Sequence, residues 1–317
     1  MIRPFRSLAA LAGLLLLTVP AAAKVPVKSV AIEKSNDAYD ITFDYPKTGV
    51  KAIDDDIGAW VKKTVDDFIK TATEDRADGD SGYGLDVSFE VLRNDAGGFG
   101  VLFTEEYDTG GAHPNHDFDA FNYLMPDGWR VYLPELFDRK ALGKISAFAI
   151  KDLTAQLTLP DGSGDTDTIA DGAGPDWDNF KDFILLPGKL EIHFPPYQVA
   201  SYAAGEQESD VPLSLLSGLT RPDPRAPAPS FDCAAATTRV EKLICSDVEL
   251  ARLDRKVAEA YASNLKYAAD DAAQADLKQK QQVWLGQRDA SCTGADALAC
   301  LRGGYETRLE DLNKPAE

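Results

Sequence analysis

A proline-rich segment divides this chain into two unequal parts and constrains its fold more than any other feature. Residues 221–230, Arg-Pro-Asp-Pro-Arg-Ala-Pro-Ala-Pro-Ser, hold four prolines. Proline lacks a backbone N–H and fixes φ, so the segment excludes a helix and favours extended polyproline geometry. We predict a semi-rigid linker at 221–230 between domains at 24–220 and 231–317. Each part is long enough to bury an apolar core of its own.

The first 23 residues have the pattern of a cleavable export signal. Arg3 and Arg6 precede an apolar run over 8–19, and Ala21–Ala23 supplies the small residues that a signal peptidase recognises. The run is short for a membrane span, and no second long apolar stretch follows. We predict cleavage near Ala23, a mature form without a membrane anchor, and a periplasmic or secreted location. No cysteine follows the cut, so a lipid anchor is not expected.

The mature chain is strongly acidic, mostly before the linker. Without the predicted signal it has 31 basic and 52 acidic residues, a net charge of −21. Residues 24–222 carry −18 of this and residues 223–317 carry −3. Nucleic acid is not an expected partner, because a polyanion is bound through basic patches. The acidic surface either only maintains solubility or steers a basic partner.

Two hydrophobic periods coexist before the linker. Alternating apolar residues predict strands with one buried face. These strands are 41–45, 85–91 and 101–103. Apolar residues three and four apart predict helices, at 50–68 and 142–157. Pro187-Gly188 joins two short apolar runs as a hairpin turn would, and 161–168 is predicted to be a polar loop. The mixture predicts an α+β fold with a mainly antiparallel sheet.

The pattern after the linker is helical throughout. Thr238-x-x-Glu241 and Ser246-x-x-Glu249 are two consecutive capping boxes, which predict two helix starts. Three apolar stripes at helical spacing follow, over 250–265, 277–285 and 298–312. We predict a small all-α antiparallel bundle whose aromatic residues, Trp284 among them, belong to its core.

All four cysteines, Cys233, Cys245, Cys292 and Cys300, lie in this helical part. An even number in an exported chain indicates two disulfides. Three pairings are possible and the sequence alone does not choose between them, although the local pairs 233 with 245 and 292 with 300 are favoured. The spacing lacks a Cys-x2-Cys pair and no histidine lies near, so a zinc site is not expected.

Two of the three histidines lie in one loop, Thr109-Gly-Gly-Ala-His-Pro-Asn-His116, with Asp117 close behind. One interpretation is a hydrolytic metal site. The other is a turn whose glycines take backbone angles closed to other residues, while a histidine satisfies local backbone groups. The third histidine, His193, is predicted on a strand as a core or edge residue. The candidate binding residues are Gly110, Gly111, His113, Asn115 and His116. No phosphate-binding loop, dinucleotide fingerprint or cysteine paired with a base is present, so no cofactor is expected. A metal is not expected either, because three defined ligands are needed and the loop does not define the third.

Four blocks before the linker together resemble a known exported domain. They are Tyr107–Asn115, Phe121–Tyr123, Leu133–Phe137 and Phe194–Gly205. Their order and spacing are similar to the RsiV/PdaC-type extracellular domain, over about residues 27–219. This domain occurs in a lysozyme-sensing anti-sigma factor and in a peptidoglycan deacetylase. The resemblance implies a non-catalytic α+β domain that in the anti-sigma factor binds lysozyme. The deacetylase catalytic motifs are missing, so deacetylation is not implied.

The helical part resembles a second family. The blocks that carry this likeness are 231–234, 238–246, 249–254 and 284–289, with all four cysteines. They are similar to the N-terminal domain of LprI-type lysozyme inhibitors, over about residues 231–313. The resemblance implies an exported, disulfide-bonded helical domain associated with lysozyme inhibition.

The two resemblances and the charge predict a non-catalytic periplasmic protein that binds and inhibits a lysozyme-like muramidase. Many such hydrolases are basic, and inhibition would come from a loop covering their two active-site carboxylates. The loop 110–116 is the first candidate, with His113 or His116 as a donor. Peptidoglycan is a second candidate partner. Two alternatives stay open: a cell-envelope hydrolase with a metal at His113, His116 and Asp117, and a non-catalytic peptidoglycan-binding scaffold.

Overall fold

A six-stranded sheet forms the first layer of the protein. The computed structural model describes residues 24–74, 82–158, 164, 166–266, 268, 270–312 and 314, so the predicted export signal lies outside the described residues. The strands are β1 Lys28–Ser35, β2 Tyr39–Lys47, β3 Tyr83–Asn94, β4 Gly98–Asp108, β5 Asn115–Leu124 and β6 Trp129–Val131. They lie in this order, and only β2 and β3 pair in parallel. The mainly antiparallel sheet is therefore confirmed.

Helix α1, Lys51–Glu74, connects the two parallel strands and packs on the sheet. Its predicted stripe is buried, with Ile53 and Ile57 fully enclosed. Trp60 lies between three sheet rings, 4.4 Å from the ring centre of Phe103 and 5.1 Å from that of Phe121. Each large apolar side chain buried in this way contributes about 1.5–3 kcal/mol. The opposite face of the sheet near β4 and β5 stays available for a second layer.

A smaller three-stranded sheet and a second long helix form that layer. Its elements are α2 Leu133–Leu136, α3 Arg139–Leu157, α4 Thr166–Gly172, β7 Phe183–Leu186, β8 Lys189–Phe194 and β9 Gln207–Pro212. Ile184 on β7 packs with Leu102 and Phe118 of the large sheet, and α3 covers the other face. Gly188 has φ +93° in the predicted hairpin turn. The predicted polar loop is wrong from residue 166, because Thr166–Gly172 is helical and buries Ile169; residues 161–163 and 165 are not described.

The described part after the linker contains four α-helices, preceded by a short 3-10 helix at Cys233–Ala235. They are α5 Arg239–Ile244, α6 Val248–Lys266, α7 Asp271–Ser291 and α8 Ala297–Leu312. Disulfides join Cys233 to Cys245 and Cys292 to Cys300, the locally favoured pairs. Trp284 packs edge-on against the buried Tyr305, at 5.2 Å between ring centres. No helix of the described part is long and apolar enough to cross a membrane.

Two details of the helical prediction are wrong. The Thr238 capping box is present, but the hydroxyl of Ser246 donates to the carbonyl of Leu243 instead of capping α6. Asp247 accepts from Leu250 N at 2.9 Å and takes that role, because its carboxylate lies one residue closer to the helix. Leu298, expected in the third stripe, is exposed.

The proline-rich segment contains no helix and is tied to both sides. Arg221 N donates to Leu136 O at 2.8 Å, and Arg225 pairs with Asp127 at 2.8 Å. Towards the helical part, Ser230 donates twice to Asp254. These contacts hold the segment against the elements that it joins, so it acts as a strap as well as a spacer.

A buried ion pair joins α6 directly to α2. Glu135 is 1% exposed, and its two carboxylate oxygens accept from Arg252 at 2.6 and 2.9 Å. Arg252 also donates to Arg130 O at 3.0 Å and lies over the rings of Trp129 and Tyr132. This bidentate pair fixes the orientation of the helical part on the sheet.

Candidate functional site

The predicted binding loop connects β4 to β5 at one end of the large sheet. Gly110 has φ +82°, a left-handed angle that favours glycine, and its N–H donates to Asp108 Oδ1 at 2.9 Å. Gly111 is not among the glycines with positive φ in the described part of the chain. The prediction of special backbone angles thus holds for one glycine of the two.

His113 is fixed inside the loop by both ring nitrogens. Nδ1 lies 2.9 Å from Pro114 O, and Nε2 lies 3.1 Å from the Tyr197 hydroxyl. Because a carbonyl only accepts, Nδ1 carries the proton, and Nε2 accepts from Tyr197 in the neutral ring. The imidazole stacks on Tyr202 at 3.9 Å between centres, and the Tyr202 hydroxyl donates to Pro114 O. Both ring nitrogens of His113 are thus in contact with groups of the protein itself.

Tyr197 is the most exposed member of this ring cluster, which we define as His113, Tyr197 and Tyr202. It is 57% exposed and has φ +73°, as no other non-glycine residue has in the described part of the chain. Bulky residues rarely adopt this angle, and strained backbone is concentrated at functional sites. The side chain of Gln198 holds the turn by donating to Gly172 O and Asn179 O, each at 2.9 Å. The fold thus presents an aromatic ring to solvent at some cost in backbone strain.

Asn115 and His116 begin β5, opposite Tyr107 and Glu106 of β4. His116 Nε2 lies 4.0 Å from Glu106 Oε2, beyond hydrogen-bond distance. Its ring centre is 6.1 Å from that of Tyr202. Of the two loop histidines, His116 therefore remains able to donate outward.

An acidic groove runs from the loop across the sheet, on the face away from α1. It holds about 190 Å³ and is lined chiefly by Asp40, Thr42, Asp86, Glu106, Asp108 and Pro114. Asp86 lies directly opposite Glu106 in the strand register, so like charges face each other. Within the described residues, Asp40, Asp86 and Asp108 have no ion-pair partner. Pro114 lines the groove, and its carbonyl accepts from His113 and Tyr202, so the groove and the ring cluster are neighbours.

The face of the sheet towards α1 carries a second group of carboxyls. Burial, with Asp119 and Asp117 as charged neighbours, raises the pKa of Glu105 from 4.5 to about 8. Burial likewise raises the pKa of Asp119 and brings that of Asp182 to about 7. Lys181 lies 3.5 Å from Asp182 and offsets part of this charge. The net charge on this side of the sheet, opposite the groove, therefore changes with pH.

Several residues of the helical motif blocks have internal roles. The Tyr305 hydroxyl donates to Asp254 Oδ1 at 2.6 Å, and Arg288 donates to the same hydroxyl at 2.6 Å. The other carboxylate oxygen of Asp254 accepts hydrogen bonds from Ser230. This network therefore joins α6, α7, α8 and the strap. Arg252 of the same blocks holds α2 through Glu135. These motif residues therefore maintain the fold and its junction.

Sequence reasoning missed Tyr197, Tyr202 and the acidic groove. Both tyrosines lie in the block Phe194–Gly205, and the histidines lie in or beside the block Tyr107–Asn115. The structure brings these two blocks into contact. The presence of both blocks in the sequence was the signal that could have indicated this contact. The groove depends on strand register, and a count of charged residues contains no information on register.

Two segments of the chain match described protein families. Residues 134–214 match DUF3298, a protein family of unknown function. Residues 233–312 match the family described as lysozyme inhibitor LprI. The chain therefore holds a segment similar to DUF3298, from α2 through β9, followed by a segment similar to LprI that contains both disulfides.

The chain is similar to Lipoprotein LprI of Mycobacterium bovis and of Mycobacterium tuberculosis, at 34% identity over 83 residues. The match covers 26% of this chain and 40% of each relative, so the chain spans two fifths of their length. Among solved structures, a DUF3298 family protein from Pseudomonas aeruginosa PAO1 has a TM-score of 0.50 at 14% identity, covering 64% of this chain and 97% of that protein. A DUF3298 member from Bacteroides fragilis gives 0.43 at 15% identity, over 63% and 96%. The Pseudomonas likeness shows a shared fold.

Proposed function

We propose that this protein binds a lysozyme-like muramidase and inhibits it without catalysing a reaction itself. The observation that carries the proposal is the match of residues 233–312 to the lysozyme inhibitor LprI. The matched segment has the four paired cysteines and the complete four-helix core. The function named for that family is the one that we assign to this chain.

The acidic groove and the ring cluster are the surface that we propose for contact. A basic enzyme would be attracted by the unpaired carboxylates Asp40, Asp86 and Asp108, and electrostatic attraction mainly raises the association rate. Tyr197 would then supply the apolar anchor, since an exposed tyrosine loses little side-chain entropy on binding. We further propose His116 as the donor to a carboxylate of the muramidase active site.

Three finer assignments belong to the same proposal. The first domain is of the RsiV/PdaC type, which is supported by the contact between two of its sequence blocks at the ring cluster. The domains are 24–220 and 231–317, with 221–230 between them. The mature protein follows cleavage near Ala23 and acts in the periplasm or outside the cell, in keeping with the lipoprotein relatives and with two disulfides.

The experiment is a cell-wall lysis assay with a basic muramidase and the chain 24–317. We expect lysis to slow in proportion to added protein, with a complex whose association rate falls as salt rises from 50 to 300 mM, on the order of tenfold. The variant Asp86→Asn/Glu106→Gln should lose most of this salt dependence. The control Asp55→Asn/Asp67→Asn changes net charge equally but lies on α1, across the sheet, and should behave as wild type.

Undiminished lysis with no measurable complex would refute the function. If both double variants inhibit equally and with the same salt dependence, the proposed function would stand, but the contact would lie outside the acidic groove. Binding to isolated peptidoglycan without any effect on the muramidase would favour the scaffold alternative.

A further inference from the structure

Three carboxylates and one imidazole share one face of the small sheet. Glu191 and His193 lie two residues apart on β8, as Glu208 and Asp210 do on β9. The register places His193 opposite Glu208 and Glu191 opposite Asp210, so all four side chains share a face. One oxygen from each carboxylate lies within 4.8 Å of the others. This spacing suits ligands of a single ion.

His193 supplies a second observation beside the carboxylates. It is 9% exposed, and its Nε2 has no hydrogen-bond partner among the described residues. That nitrogen lies 3.3 Å from Glu191 Oε1, in a geometry that does not form a hydrogen bond. A buried polar atom without a hydrogen-bond partner is destabilising, so this position favours a ligand.

A cation already occupies part of this face. Lys189 Nζ lies 2.7 Å from Glu191 Oε2 and 2.6 Å from Asp210 Oδ1. One ammonium cannot balance the charge of three carboxylates. The Lys189 side chain is one-third exposed and unbranched, so it can turn out to solvent. The arrangement is one in which a divalent ion would replace the ammonium.

We propose that Glu191, His193, Glu208 and Asp210 bind one divalent transition-metal ion, Zn²⁺ or Mn²⁺, in competition with the Lys189 ammonium. The imidazole decides the class, because Ca²⁺ and Mg²⁺ take oxygen ligands, whereas imidazole suits transition metals. The ion would cross-link β8 to the edge strand β9. It would thereby stabilise the small sheet within the segment that matches DUF3298.

Calorimetric titration of the chelator-treated full chain with Zn²⁺, and separately with Mn²⁺, tests the site. We expect one ion per chain, and Asp210→Asn or Glu208→Gln should each weaken binding by about tenfold or more. Both side chains are exposed, so the variants should fold, which circular dichroism checks. Lys189→Met should tighten binding by about tenfold, because the competing charge is gone. The control Glu206→Gln alters an exposed carboxylate outside the cluster and should match wild type.

Three results would overturn the proposal. The first is no binding of either ion, and the second is equal affinity in wild type and Asp210→Asn, which would place the ion elsewhere. The third is no gain of affinity in Lys189→Met. If Ca²⁺ binds with the same affinity as Zn²⁺ and Mn²⁺, the assignment to transition-metal ions would be wrong.

Discussion

At the scale of single residues, Tyr197 combines exposure with an angle that tyrosine rarely adopts. Its ring contacts His113 and Tyr202, but the residue is 57% exposed, so packing alone gives little reason for a tyrosine instead of a glycine at φ +73°. A strained residue that presents an aromatic ring to solvent is consistent with selection for binding. Two substitutions separate the strain from the binding.

Tyr197→Ala and Tyr197→Gly both remove the ring, but only glycine relieves the backbone. We expect the glycine variant to exceed the alanine variant by about 1 kcal/mol in free energy of unfolding, measured in urea. Both should weaken the muramidase complex by about tenfold. Equal stability of the two variants would contradict strain, and unchanged affinity would remove Tyr197 from the interface.

Glu105 gives a prediction about pH. Its pKa is raised from 4.5 in the ordinary carboxyl to about 8 in the folded protein, so the folded state binds more protons between these values. Stability should therefore fall as pH rises from about 5 to 8, and change little from this group above that range. Thermal unfolding of Glu105→Gln should show a shallower decline than wild type over the same window. Asp182 contributes in the same direction, so some decline should remain; parallel curves would contradict the assignment.

At the scale of elements, prediction succeeded where one local pattern controlled the structure. The stripe of α1 and the hairpin turn at Gly188 are encoded within a few residues of sequence. Strand β9 escaped prediction because its inward-facing residues include Ser209, whose hydroxyl is satisfied by Asp152 of α3. The ligands of the proposed metal site also come from two separate strands, which is why no metal was expected. Contacts between segments that are distant in the sequence could not be predicted from local patterns.

Substitutions at Asp247 and Ser246 test which of the two residues caps the start of α6. Asp247→Ala should destabilise the protein by about 1–2 kcal/mol, because Leu250 N loses its acceptor. Ser246→Ala should cost about 0.5 kcal/mol or less, since its hydroxyl only returns to the preceding turn. Asp247 also pairs with Arg302 of α8 at 2.7 Å. Asp247→Ser keeps a cap but removes this pair and should fall between the two in urea unfolding. A larger loss in Ser246→Ala than in Asp247→Ala would restore the capping box.

At the scale of the whole molecule, the strap and the Glu135–Arg252 pair hold the part before the strap and the helical part together. The proposed contact surface lies on the large sheet, whereas the LprI match lies beyond the strap. If a muramidase touches both, the second contact forms within the complex, and the fixed geometry raises its effective concentration. Rigidity at the junction would then contribute directly to affinity.

Glu135→Ala tests this coupling. It leaves Arg252 buried without its bidentate partner, which should cost about 3–5 kcal/mol and loosen the helical part from the sheet. The matched control is Glu249→Ala, which removes the exposed partner of the same arginine, 2.6 Å away, and should cost about 1 kcal/mol or less. Limited proteolysis within 221–230 should accelerate only in Glu135→Ala. Muramidase affinity should fall with it if contact is shared, whereas unchanged affinity despite faster cleavage would show that one part binds alone.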